Sequence, residues 1–265
     1  MMATSALEQT LRYDRLIVAI GIATVVAFSW GYLLAGAGID MSMADMPMDP
    51  EPWSLAQALL LFAMWWVMMI AMMVPSAAPT ILLFATIKRR QATVDSPVVA
   101  SWLFLAGYLV IWAGFSLVAV SVQWGLEQAG LLSGMMASTS SVLAGIILLA
   151  AGLYQFTPIK RACLRYCQSP LLFLSTYWQP DAMGALRMGF RHGGYCVGCC
   201  WFLMALLFVA GVMNLAWVAV VAIYVAFEKL LPSSPWLSRI AGVGLIVAGA
   251  VVLAFGLTVT APAAP

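Results

Sequence analysis

The stretch VVASWLFLAGYLVIWAGFSLVAVSV, Val98–Val122, decides the fold. It carries no charged residue, and it exceeds the roughly 20 apolar residues with which an α-helix crosses the hydrocarbon core of a bilayer. Six further apolar runs accompany it, at Leu16–Ala37, Leu55–Val74, Ser138–Phe156, Tyr195–Met213, Leu215–Leu231 and Ile240–Val259. Of the 265 residues, 64% are hydrophobic and 8% charged, whereas soluble domains are about half apolar and about a quarter charged. The reading is all-α: a polytopic transmembrane helix bundle of about seven spans, forming one membrane domain over residues 1–265. The second run continues through Pro75 and Pro79 toward Ile87, which predicts a kinked or tilted helix. The first run follows Arg12 and Arg15 as a signal peptide would, but it is longer than the roughly 7–15 apolar residues of such a segment and reads as a retained anchor.

Basic residues in short loops mark the cytoplasmic side of a membrane protein. All 12 Lys and Arg residues fall on one side of the seven-span scheme. Arg12 and Arg15 precede the first span, and Lys88, Arg89 and Arg90 follow the second. Lys160, Arg161, Arg165, Arg187 and Arg191 lie between the fourth and fifth, and Lys229 and Arg239 between the sixth and seventh. The opposite loops hold Asp40, Asp45, Asp49, Glu51 and Glu127. The amino terminus is therefore expected in the cytoplasm and the carboxyl terminus outside, with the chain multi-pass in the plasma (bacterial inner) membrane. At a net charge of +2 the bases read as contacts to lipid head groups, not as a nucleic-acid surface. No phosphate-binding glycine pattern follows a candidate strand, and no hydrophilic stretch is long enough for a soluble catalytic domain. No catalytic residue stands out, and the reading leans away from an enzyme.

All 5 cysteines cluster in one region. Cys163 and Cys167 sit in the cytoplasmic loop 157–192, and Cys196, Cys199 and Cys200 open the fifth span. Thr157-Pro158 reads as a helix cap followed by a proline at the first helical position, so Cys163 and Cys167 share a face at i and i+4. Leu171–Trp178 reads as a second short helix on the membrane surface. Gly193-Gly194 is expected to relax the backbone on entry to span five. Four thiolates from two helices suit Zn(II), and two or three suit Cu(I). The neighbouring Lys160, Arg161, Arg165 and Arg191 would favour thiolates. Two other readings stay open: buried cysteines that only pack, and a thiol redox pair in Cys196-x-x-Cys199. His192, the only histidine, is a further candidate ligand or an interfacial hydrogen-bonding residue.

Met41, Met43, Met46 and Met48 lie in an acidic external loop, where thioethers suit Cu(I) and need no deprotonation. In span two Met64, Met68 and Met72 form one helical stripe, with Met69 and Met73 beside it; such a stripe reads as a thioether ladder or as gap-filling core. Gln57, Ser76 and Asn214 read as interhelical hydrogen-bond partners, and Glu228 as an interfacial pair with Lys229.

Several of these stretches carry a resemblance: Met64 through Ser76, Tyr154 through Lys160 with Cys163-Leu164 and Cys167 to Pro170, and Gly193 through Trp201 with its C-x-G-C-C-W run. Gly211 through Asn214 and Glu228-Lys229 complete the set. Together they resemble a widespread bacterial family described as predicted metal-binding integral membrane proteins. The resemblance implies a polytopic helical protein that binds metal; it covers spans two through six and does not extend to the methionine loop.

The expected function is to bind a soft transition metal, copper first and zinc as the alternative, for transfer, storage or delivery to a metal-accepting protein or membrane enzyme complex. The expected ligands are Cys163, Cys167, Cys196, Cys199, Cys200, His192, Met41, Met43, Met46, Met48, Met64, Met68 and Met72. A membrane thiol-disulfide oxidoreductase and a metal-free structural subunit are the alternatives.

Overall fold

The computed structural model describes residues 2–37, 53–90, 96–133, 136–231 and 235–260. Its helices are α1 (Met2–Leu34), α2 (Leu55–Arg90), α3 (Pro97–Gln128), α4 (Ser141–Tyr154), α5 (Pro158–Gln168), α6 (Pro170–Tyr177), α7 (Ala182–Ala205), α8 (Leu207–Ala210), α9 (Leu215–Leu230) and α10 (Pro235–Thr260). Among the described residues there is no strand beyond one isolated bridge between Leu132 and Ser138. Five helical stretches are long and apolar enough to cross a membrane: Tyr13–Leu34, Leu55–Arg90, Pro97–Gln128, Ala182–Ala210 and Trp236–Gly256. The expected fourth and sixth spans are shorter helices, α4 of 14 residues and α9 of 16. The pair α4 and α5 would make a sixth crossing if read as one span bent by 67°.

Local chemistry sets these limits. Ser140 accepts a hydrogen bond from the Leu143 N–H and starts α4. Thr157 does the same for Lys160 with Pro158 behind it, so a new helix begins where α4 has ended. Asp181 caps α7 through the Gly184 N–H, and Asn214 caps α9 through the Trp217 N–H. Asn214 is thus a cap, and its side-chain amide also donates to the Ala210 carbonyl of α8 at 3.5 Å. Gln57 likewise serves locally, accepting from the Ser54 N–H at 2.8 Å. α2 stays helical through Pro75 and Pro79. Near them the Ser76 hydroxyl donates to the Met73 carbonyl at 2.8 Å and the Tyr108 hydroxyl of α3 donates to the same oxygen at 3.2 Å.

α2 is the centre of the bundle, packed by α1, α3, α6 and α9. Its most apolar window is 56% buried, against 22% for α1 and 17% for α10, which lie outermost. The expected loop 157–192 is only partly a loop, because α7 begins at Ala182 and runs through Gly193-Gly194 as helix. The glycines serve packing there. A Cβ at Gly189 would overlap the Phe104 carbonyl oxygen, and one at Gly193 would lie 2.9 Å from Ile111 Cβ. The Gly189-x-x-x-Gly193 pair therefore lets α7 touch the α3 backbone, the close approach that small residues permit between apolar helices. α4 meets α10 in the same way: a Cβ at Gly152 would stand 2.9 Å from the Gly242 carbonyl oxygen, and one at Gly249 would stand 3.0 Å from that of Gly145.

Candidate metal centre

α5 and α7 bring the cysteines together. Both pack side by side, and Gly198 supplies the room, since a Cβ there would sit 2.7 Å from Cys163 Sγ. The Cys199 thiol lies 3.9 Å from Cys167 Sγ. One residue on, the Cys200 thiol lies 3.9 Å from Met73 Sδ of α2. Cys196 Sγ is 3.0 Å from the Tyr108 hydroxyl and 2.9 Å from Lys229 Nζ. Cys167, Cys196, Cys199 and Cys200 are buried, Cys163 is half-buried, and all five are free thiols. The Cys199 and Cys200 thiols both donate to the Cys196 carbonyl oxygen, at 3.1 and 2.9 Å.

The cation at these thiols is not the one expected. Lys229 reaches in from α9, with its Nζ also 3.6 Å from Met73 Sδ, 3.4 Å from Ser76 Oγ and 3.9 Å from Cys200 Sγ. It does not pair with Glu228. That carboxylate is held by Lys160 at 2.7 Å, by the Tyr224 hydroxyl at 3.1 Å and by the Ser238 hydroxyl at 2.6 Å. Lys160 also donates to the Cys199 carbonyl oxygen at 3.1 Å, which anchors α5 against α7 and α9 at the thiol level. Of the other expected bases, Arg191 lies 4.8 Å over the Tyr177 ring.

The remaining candidates divide. His192 is buried one turn before Cys196, among Phe104, Tyr108 and Phe173, and its Nδ1 has no hydrogen-bond partner among the described residues. Met64, Met68 and Met72 are buried in the core; the α2 sulfur that meets a thiol is that of Met73. Met41, Met43, Met46 and Met48 lie outside the described residues. Cys163 lines an open depression of about 490 Å³ with Tyr177, Arg191, Gly194 and Tyr195. The four-thiolate zinc cage is not assembled: no three His, Cys, Asp or Glu side chains among the described residues stand as a metal-holding group. Cys167 and Cys200 each stand within hydrogen-bonding reach of both Cys196 and Cys199. Sequence reading missed Met73, Lys229 and Tyr108 as neighbours of the thiols.

Buried thiols and a thioether enclosed by apolar helices are donors of the kind that soft metals take. The chain matches the family model described as a copper chaperone, PpoB2, over residues 62–252, and it belongs to that family. No curated protein and no solved structure matches it. The matched region runs from α2 into α10 and contains all five cysteines with Met64, Met68, Met72 and Met73. The family assignment carries copper and lends nothing to zinc.

Proposed function

We propose that this chain is a membrane-embedded copper chaperone that holds Cu(I) on paired sulfurs between α2, α5 and α7 and passes it to an accepting protein. The observation that carries the reading is the 3.9 Å spacing of both Cys167–Cys199 and Cys200–Met73. With metal–thiolate bonds of about 2.3 Å, two sulfurs sharing one ion stand roughly 4 Å apart, and a soft monovalent ion is content with two or three such donors. The half-buried Cys163 beside the open depression is the natural point of exchange, since it lies closest to solvent of the five. Met41, Met43, Met46 and Met48 would gather the ion on the far side of the membrane.

The test is anaerobic Cu(I) competition titration of the detergent-purified full chain. Cys167→Ser, Cys199→Ser and Cys200→Ser should each weaken binding by about tenfold or more, since even ~1.4 kcal/mol of lost ligand energy has that effect. Thiol ligands bind only after losing their protons, so this component should weaken as pH falls. Changing the four loop methionines together to Leu should remove a second, pH-insensitive component. Unchanged affinity in both sets would leave the cysteines as packing groups.

A further inference from the structure

Cys163 stands between the buried sulfurs and the surface. It lies one turn before Cys167 on α5 and packs against Gly198 of α7, between Cys196 and Cys199. On its other side it opens into the depression of about 490 Å³ that Tyr177, Arg191, Gly194 and Tyr195 also line. That volume falls among small-molecule pockets, roughly 300–1,000 Å³. Its 5 lining residues are far fewer than the ~20–30 that each side of a protein interface supplies. The exposed Arg191 rests 4.8 Å over the Tyr177 ring, and among the described residues no carboxylate pairs with it. Gly194 lies inside α7, where glycine is a poor helix former. Unlike Gly193 it makes room for no neighbour, since nothing stands within 4 Å of where its Cβ would be; the missing side chain keeps the depression open. The Tyr177 and Tyr195 hydroxyls lie 2.6 Å apart, and their mutual hydrogen bond leaves one O–H of the pair unused by it.

We infer that this depression is the docking site of a small thiol bearing a carboxylate, which exchanges Cu(I) with Cys163. The inference rests on the copper reading above and names the carrier at its point of exchange. A soft ion travels on a soft donor. The bases of this region lie on the side expected to face the cytoplasm, where a pool of small thiols is kept reduced. Arg191 recognises the carrier, because its planar fork donates two parallel hydrogen bonds to a carboxylate, and the tyrosine pair offers a further O–H. Anchored there, the carrier brings its sulfur to Cys163 in the same depression. The bond from copper to the carrier's sulfur breaks as the bond from copper to Cys163 Sγ forms. The Cys163 thiol proton passes to the departing sulfur, and copper stays Cu(I) throughout. Cys167, one turn along α5, is the next sulfur inward.

Mercaptopropionate and mercaptoethanol isolate the effect, since they are small thiols that differ by the carboxylate. The full chain in detergent is loaded anaerobically from the Cu(I) complex of each, and each rate is taken relative to that complex's transfer to dithiothreitol. Loading from mercaptopropionate should be faster by about tenfold or more, the scale of one hydrogen bond to a charged group. Arg191→Gln should lower the mercaptopropionate rate by about tenfold and leave the mercaptoethanol rate unchanged. Gly194→Leu fills the depression and should slow mercaptopropionate loading by about as much, while wild-type Cu(I) affinity in competition titration is retained. Equal relative rates in the wild type overturn the inference in favour of a carrier recognised over a wider surface, and this comparison needs no variant. A wild-type ratio preserved in Arg191→Gln also overturns it. In either case Cu(I) binding in the titration leaves the copper reading standing, whereas a wild type that binds no Cu(I) removes both.

Discussion

Glu228 and Lys229 are chain neighbours, yet about 100° of helical turn separates their side chains, and each finds a different partner. Lys160 meets Glu228 with both side chains 1% exposed, so removing one charge strands the other. Glu228→Gln should therefore destabilise the protein by ~3–5 kcal/mol, read as a lower unfolding midpoint in detergent, whereas the double change Lys160→Met, Glu228→Gln should recover most of the loss. Equal destabilisation in the single and double variants would show that the pair contributes through shape alone. The rule that adjacent helical residues do not face each other was the signal that could have excluded a Glu228–Lys229 pair from the sequence. The contact of Lys229 with Cys196 was not readable, because it depends on how α9 lies against α7. Cys163, Cys167, Cys196 and Cys199 were legible as a group, since clustering in the chain and helical spacing both survive folding.

At the level of elements, backbone proximity between α3 and α7 holds the thiol-bearing helix in place. Gly189 and Gly107 lie where a Cβ would run into the partner helix backbone, at Phe104 and Leu186, while nothing lies within 4 Å of a Cβ at Gly114. Gly189→Ala should thus cost ~1–3 kcal/mol by overpacking, and Gly114→Ala should be neutral or stabilising by up to ~1 kcal/mol from helix propensity. Thermal unfolding of the two variants beside the wild type separates these outcomes; similar shifts in both would mean that the helices slide apart freely. The short elements were readable where a cap announces them: Thr157-Pro158 starts α5 as its chemistry requires. The start of α7 at Ala182 was not, because Gly193-Gly194 looks like a hinge in one dimension. Only the facing surface of α3 shows that the missing side chains make room for another helix.

Across the whole molecule, side-chain contacts sort the helix ends into two groups. Asp14 of α1 pairs with Arg89 of α2 at 3.1 Å, Lys88 reaches the Pro180 carbonyl just before α7, and Glu228 of α9 meets Lys160 of α5 and Ser238 of α10. At the other end Trp53, before α2, donates to Glu127 of α3 at 3.0 Å, and the Ser138 N–H, before α4, donates to the Phe208 carbonyl at 2.8 Å. Each of α2, α3, α4, α7, α9 and α10 thus begins at the end opposite to the one where its predecessor among them began. The bases gather at the first end, the side expected to face the cytoplasm. α4 and α9, at 14 and 16 residues, rise only about 21 and 24 Å against a hydrocarbon core of ~30 Å. Shielding by α7, α8 and α10, or local thinning of the bilayer, lets such helices connect the two faces. If they do, reporters fused after Arg90 and after Trp178 should read cytoplasmic, and one at the carboxyl terminus should read external. A cytoplasmic carboxyl terminus with both internal fusions as expected would mean that only one of α4 and α9 reaches the opposite face.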